Sequence, residues 1–107
     1  MMLNQWEQMM LEKLSAEDFA PFLKEKFLIN FSHSEPSPVY LIEINEKKST
    51  SPGSRRQPFS IIFRAAKDMI WPQGIYKIKH EKLGVLDLFL VPVGPDQEGM
   101  CYEAVFN

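Results

Sequence analysis

Phe59-Ser60-Ile61-Ile62-Phe63-Arg64 sets the rhythm of the whole chain: Phe59, Ile61 and Phe63 alternate with Ser60, Ile62 and Arg64. A period of two sends successive side chains to opposite faces of a strand, and β-branched and aromatic residues favour that conformation. The rhythm continues toward the C-terminus. Tyr76 and Ile78 alternate with Lys77 and Lys79, Leu86, Leu88 and Leu90 with Asp87, Phe89 and Val91, and Tyr102, Ala104 and Phe106 with Glu103 and Val105. It also extends back through Tyr40, Ile42 and Ile44, set against Leu41 and Glu43, to Phe27, Ile29 and Phe31, set against Leu28 and Asn30. Each run predicts a strand with one face in the core and one toward water.

The connections carry turn chemistry. Pro36-Ser37-Pro38 is expected to block pairing ahead of the second strand, and the polar stretch 47–57, with Pro52 and Gly53, to form a mobile surface loop. Pro72-Gln73-Gly74 reads as a turn, Gly84 as a hairpin tip, and residues 94–99 as a second hairpin connection. Short strands with tight turns predict a mainly β fold: about six antiparallel strands in a meander, curled into a small barrel or roll. Closed barrels begin to leave room inside at about eight strands. With fillers as large as Phe59, Phe63 and Phe106, a smaller barrel is expected to pack solid.

Ahead of the strands the period differs. Leu3, Trp6, Met10 and Leu14 recur at spacings of three and four, the stripe of an amphipathic helix. Ser15 followed by Asp18 is an acidic relative of the capping box and predicts a second short helix over 16–23. The fold thus carries an N-terminal helix or two short helices. The chain divides into an N-terminal helical extension, residues 1–14, and a single β domain, residues 15–107.

A chain of 107 residues with 45% hydrophobic and 24% charged residues has the composition of one globular domain. Its net charge of -2 lacks the basic excess that phosphate backbones require, so nucleic acid is not an expected partner. Cys101 is the single cysteine, which excludes an intrachain disulfide and fits a reducing compartment. The opening MMLNQWEQMMLEKL carries Glu7 and Glu12 and no early basic cluster, unlike a Sec signal. No apolar run approaches the roughly 20 residues of a membrane span. Cytoplasmic synthesis is expected, with non-Sec export or incorporation into an assembly left open.

No catalytic constellation stands out, and no cofactor or metal is expected. Cys101, His33 and His80 are the only thiol and imidazoles. Cys101 reads as a small buried side chain, His80 as a plain surface histidine at a strand end, and His33 as a loop residue. One cysteine and two distant histidines do not make a zinc site. Glu43, Asp87 and Glu103 alternate with apolar residues and read as solvated strand faces. The residues singled out for partner binding are Trp6, Met9 and Met10, and Arg55 and Arg56. The first three belong to an apolar helical stripe that needs a surface, either the domain's own sheet or another protein. The two arginines sit with Lys47 and Lys48 in a basic loop that either touches an anionic partner or serves solubility.

Four segments carry a likeness: LSAEDFAPFL at Leu14–Leu23, PFSIIFR at Pro58–Arg64, WPQGIYKIKHEKLG at Trp71–Gly84 and LFLVPVGPDQEGMCYEAVFN at Leu88–Asn107. In this order they resemble a bacterial family of small β domains catalogued only as a domain of unknown function. The resemblance implies genes often placed near those of phage-tail-collar-like, or microcystin-dependent, proteins. That suggests an accessory or structural part of a tail-like or surface assembly, and it implies no catalytic residue. The chain departs from the family at Lys24-Glu25, where a glycine-containing turn is expected. Residues 1–9 lie outside the likeness, which makes Met10 a candidate start. Three functions follow: a non-enzymatic interaction or assembly module that binds a protein partner or itself through the N-terminal helix, a small-ligand-binding barrel, and an enzyme with an unrecognised site.

Overall fold

A computed structural model describes residues 13–31, 35–47 and 57–107. Trp6, Met9, Met10, Arg55 and Arg56 lie outside the described residues, as do His33 and most of the expected first helix. Helix α1 (Ala16–Phe19) runs into a 3-10 turn, Ala20–Phe22, and six strands follow: β1 (Lys26–Asn30), β2 (Ser37–Glu46), β3 (Phe59–Ala65), β4 (Gly74–His80), β5 (Gly84–Pro95) and β6 (Met100–Phe106). The helix starts as the capping pattern predicts: the Ser15 backbone N–H donates to Asp18 Oδ2 at 2.8 Å. It shortens to a 3-10 turn at Pro21, whose missing N–H is tolerated there.

The strands close into an antiparallel barrel in the order β1-β2-β3-β6-β5-β4. The meander therefore runs in two halves, β1-β2-β3 and β4-β5-β6. These join through β3 with β6 and β1 with β4. Residues 66–73 cross one mouth of the barrel to link the halves.

Phe27, Ile29, Phe59, Ile61, Phe63, Ile78, Leu88, Leu90, Tyr102 and Ala104 are buried on the inner wall, as their alternation predicts. Phe27 meets Phe63 edge-on at 5.1 Å, so aromatic rings occupy the space that a ligand cavity would need. Strand β2 departs from the reading. Val39 and Leu41 are fully buried and Tyr40 is 45% exposed, the reverse of the expected face. A bulge between Leu41 and Glu43 then leaves Ile42 as an extra residue and returns Ile44 to the inner row opposite Ile61. One inserted residue shifts the phase of the alternation, and so Tyr40, Ile42 and Ile44 do not share a face. The Pro36-Ser37-Pro38 stretch is also not a break: β2 already begins at Ser37, and Pro38 stands opposite Leu28. That end of β2 pairs with β1 alone, so a residue without an N–H fits there.

The two mouths close differently. At one, Phe19 of α1 packs on Phe59 and Phe106, with ring centroids 6.0 and 5.6 Å away. At the other, Trp71 stacks on Phe31 at 5.8 Å, and the buried Tyr102 hydroxyl ties the crossing down. That hydroxyl donates to the Met69 carbonyl and accepts the Trp71 N–H at 2.9 Å.

Candidate functional site

On the outside of the barrel, the β2 bulge and the β5–β6 hairpin flank an open cleft of about 470 Å³. Its lining includes Ile42, Glu43, Ile62, Arg64, Asp96 and Cys101. The hairpin that forms one wall is built around Asp96. Its Oδ1 accepts the N–H groups of Glu98 and Gly99, both at 2.9 Å, as aspartate does when it organises a turn. Arg64 Nε donates to Asp96 Oδ2 at 2.9 Å, a second guanidinium nitrogen reaches the same oxygen, and Nη1 lies 2.9 Å from Glu98 Oε2. The guanidinium, and then the turn amides, hold the Asp96 carboxyl well below the usual carboxylate range, and Asp96 in turn raises Arg64. Arg64 is thus engaged by two carboxylates of its own chain, with its positive charge offset.

Cys101 stands opposite Arg64 on the next strand and is buried, as its strand position suggests. It lines the cleft instead of filling the barrel, because its parity on β6 is opposite to that of Tyr102. Burial pushes the thiol up, and Asp96 beside it adds to that against a smaller pull from Arg64. At neutral pH the group remains a thiol, without the activation that a cysteine nucleophile needs.

His80 is not the surface histidine expected. It is 6% exposed, with its ring centroid 4.5 Å from those of both Phe22 and Phe27. Its Nδ1 accepts the Lys82 N–H at 3.0 Å and the Leu83 N–H at 3.4 Å. Nε2 therefore carries the hydrogen and donates to Glu25 Oε1 at 3.0 Å. His80 shares the inward parity of Ile78, a signal that its polar sequence neighbours mask. The imidazole ties the β4–β5 turn to the chain entering β1, and its contacts are at the opposite mouth from Cys101's, so among the described residues His80 and Cys101 do not pair.

Of the three carboxylates expected on solvated faces, Glu43 is exposed and Glu103 half-buried, whereas Asp87 is 8% exposed. Lys77 Nζ, on the neighbouring strand, reaches Asp87 Oδ1 at 3.0 Å and compensates the buried charge. Among the described residues, no three His, Cys, Asp or Glu side chains come together as metal ligands. No helix among them is long and apolar enough to cross a membrane.

The outer wall also carries apolar side chains. Ile75 on β4 and Phe89 on β5 stand opposite one another and are 42% and 53% exposed, and Val105 on β6 is 50% exposed.

Residues 14–106 match a family described as a domain of unknown function (DUF6916). No curated protein and no solved structure matches the chain.

Proposed function

Because the chain belongs to this family, we propose that its domain is a non-enzymatic binding module that works through its outer surface. The observation that carries the reading is the division of labour between the two walls. Phe27, Phe59, Phe63 and Tyr102 occupy the inside, while Ile75, Phe89 and Val105 stand toward water. The chemistry beside the cleft supports it. Arg64 is held by Asp96 and Glu98, and the Cys101 thiol stays protonated at neutral pH. The gene neighbourhood implied by the family resemblance makes a phage-tail-like or surface assembly the natural setting, with the domain as an accessory or structural part. Trp6, Met9 and Met10 on the N-terminal segment, and Arg55 and Arg56 in the basic 47–57 stretch, are then the further contacts with a protein partner or a second copy.

Co-purification of the full chain with the products of neighbouring genes, sized by light scattering, tests this reading. Stable complexes are expected. A chain that binds none of them, and whose native Cys101 labels fast enough to mark an activated thiolate, would overturn it in favour of an enzyme. A second reading, a small-ligand module, rests on the open cleft beside Glu43 and Asp96. It predicts ligand-induced shifts in the amide signals of Val93, Gly94 and Asp96 from a library of small polar compounds.

A further inference from the structure

His80 latches the β4–β5 turn to the barrel, and we infer that protonation of its ring opens this latch and frees Leu83 from the mouth beneath it. The inference goes beyond the proposed binding role and holds whatever the outer surface binds. The hydrogen-bond roles around the ring carry it. Nδ1 accepts the N–H groups of Lys82 and Leu83, at 3.0 and 3.4 Å, and Nε2 stands 3.0 Å from Glu25 Oε1. Only the neutral ring with its hydrogen on Nε2 satisfies all three contacts. An imidazolium carries a hydrogen on both nitrogens and accepts from neither. Protonation therefore turns Nδ1 from the acceptor of the turn into a donor that faces two other donors.

The same proton strengthens the bond to Glu25, which becomes the partner of an ion pair. The ring stays seated between Phe22 and Phe27, whose centroids are both 4.5 Å away. It is thus held in either charge state, and only its grip on the turn changes. Of the groups that face it, Glu25 is the charged one. The 3-10 turn and β1 present aromatic rings, and the β4–β5 turn presents backbone N–H groups. Glu81 and Lys82 in that turn, Lys79 before it, and Lys24 and Lys26 on either side of Glu25 are exposed. Leu83 is the part released. It is half-buried and packs against the core from the turn. Gly84 beyond it has φ of +79° and open space where a Cβ would stand, so the turn has a hinge at its base. Strand β4 ends and β5 begins at the mouth where β3 begins and β6 ends, the mouth that Phe19 covers.

Nuclear magnetic resonance of the full chain tests the inference between about pH 8 and 5, where imidazole side chains change charge. Two readouts are followed: the His80 ring nitrogens, and the hydrogen-exchange protection of single amides, corrected for intrinsic exchange at each pH. At the upper end the ring should carry its hydrogen on Nε2 and none on Nδ1. On acidification the protection of Lys82 and Leu83 should fall by roughly tenfold or more, with the midpoint of the ring's own titration, while protection in β3 holds. Glu25→Gln keeps an acceptor for the Nε2 hydrogen but removes the charge that favours the imidazolium, so this shared midpoint should move to lower pH. His80→Asn offers an uncharged acceptor near the Nδ1 position and should abolish the pH dependence; if that variant does not fold, the Glu25→Gln shift decides. Constant protection at Lys82 and Leu83 while the ring titrates overturns the inference, as does a ring that stays neutral throughout. An equal loss in β3 also overturns it, by showing that acid loosens the whole barrel, and so does a midpoint that Glu25→Gln leaves in place.

Discussion

The two mouths of the barrel are closed by different physics. Near Phe19 the closure is apolar: α1 lowers one ring onto the stacked pair Phe59 and Phe106, whose centroids are 4.5 Å apart. At the far mouth the stacked Phe31 and Trp71 are held in place by contacts to backbone. Gly99 lies so close to Ala65 that a Cβ on it would stand 2.0 Å from the Ala65 carbonyl oxygen, and Tyr102 holds the crossing chain through hydrogen bonds to main-chain groups. An apolar plug should fail by degrees as volume is removed. A backbone closure should fail when a single atom is added or a single hydroxyl taken away.

The largest effect is expected at the apolar mouth. Phe19 is fully buried, and Phe19→Ala should cost about 3–5 kcal/mol through lost transfer energy and the cavity left behind. For a domain of this size that is a fall in melting temperature on the order of 20 °C, read directly by a thermal melt. Phe19→Leu, which refills most of the space, should recover the larger part. If the two variants melt alike, the plug is not graded and the contrast fails.

Gly99→Ala comes next. The added carbon meets a carbonyl oxygen and Arg64 Cγ at 2.9 Å, so the hairpin must move away from β3. Overpacking of this kind costs about 1–3 kcal/mol and occasionally more. The Arg64–Asp96 contact should loosen with it, visible as broadened or shifted amide signals at Glu98 and Gly99. A variant that melts and resonates as the parent does would show that the two strands are not in close contact there.

Tyr102→Phe removes one oxygen at the same mouth. The ring keeps its packing against Phe31 at 5.2 Å, while the Trp71 N–H and the Met69 carbonyl lose their partner. Leaving such groups unpaired costs about 1–3 kcal/mol. Because the damage is local, hydrogen exchange at Trp71 should accelerate more than exchange in β3. Uniform acceleration would assign the loss to the core instead.

How much of this was legible in the sequence follows from the same contrast. The alternation of Phe59–Phe63 and of Tyr102–Phe106 gave the inner wall, and Ser15 with Asp18 gave the helix start. Both are local signals with a fixed period or spacing. The face of β2 is not legible in the sequence because the bulge at Ile42 adds a residue and inverts the phase, which no composition announces. The burial of His80 is masked because Lys77, Lys79, Glu81 and Lys82 make its surroundings look polar, although its parity with Ile78 points inward. Asp87 reads as solvated in the sequence because its partner Lys77 lies ten residues away on another strand. The cleft joins a β2 bulge to a distant hairpin, so its geometry depends on strand order, which alternation does not encode.

Lys24 unites these threads in the smallest expected effect. The family resemblance implies a glycine in the turn before β1, and this chain has lysine there with φ of +72°. The turn is pinned from both sides: the Lys24 N–H donates to the Leu41 carbonyl at 2.6 Å, and the Glu25 N–H to the Phe22 carbonyl at 3.0 Å. The surrounding bonds therefore hold a side-chain-bearing residue in the left-handed region, at a cost of roughly 1–2 kcal/mol. Lys24→Gly removes that strain and loses only an exposed side chain, while the unfolded chain gains about 0.5–1 kcal/mol of added freedom. The balance favours the glycine variant by about 0.5 kcal/mol, a rise of a few degrees in the melting temperature. Lys24→Ala keeps a Cβ and should not show it, so equal melting of the alanine and glycine variants would mean that the turn carries no strain.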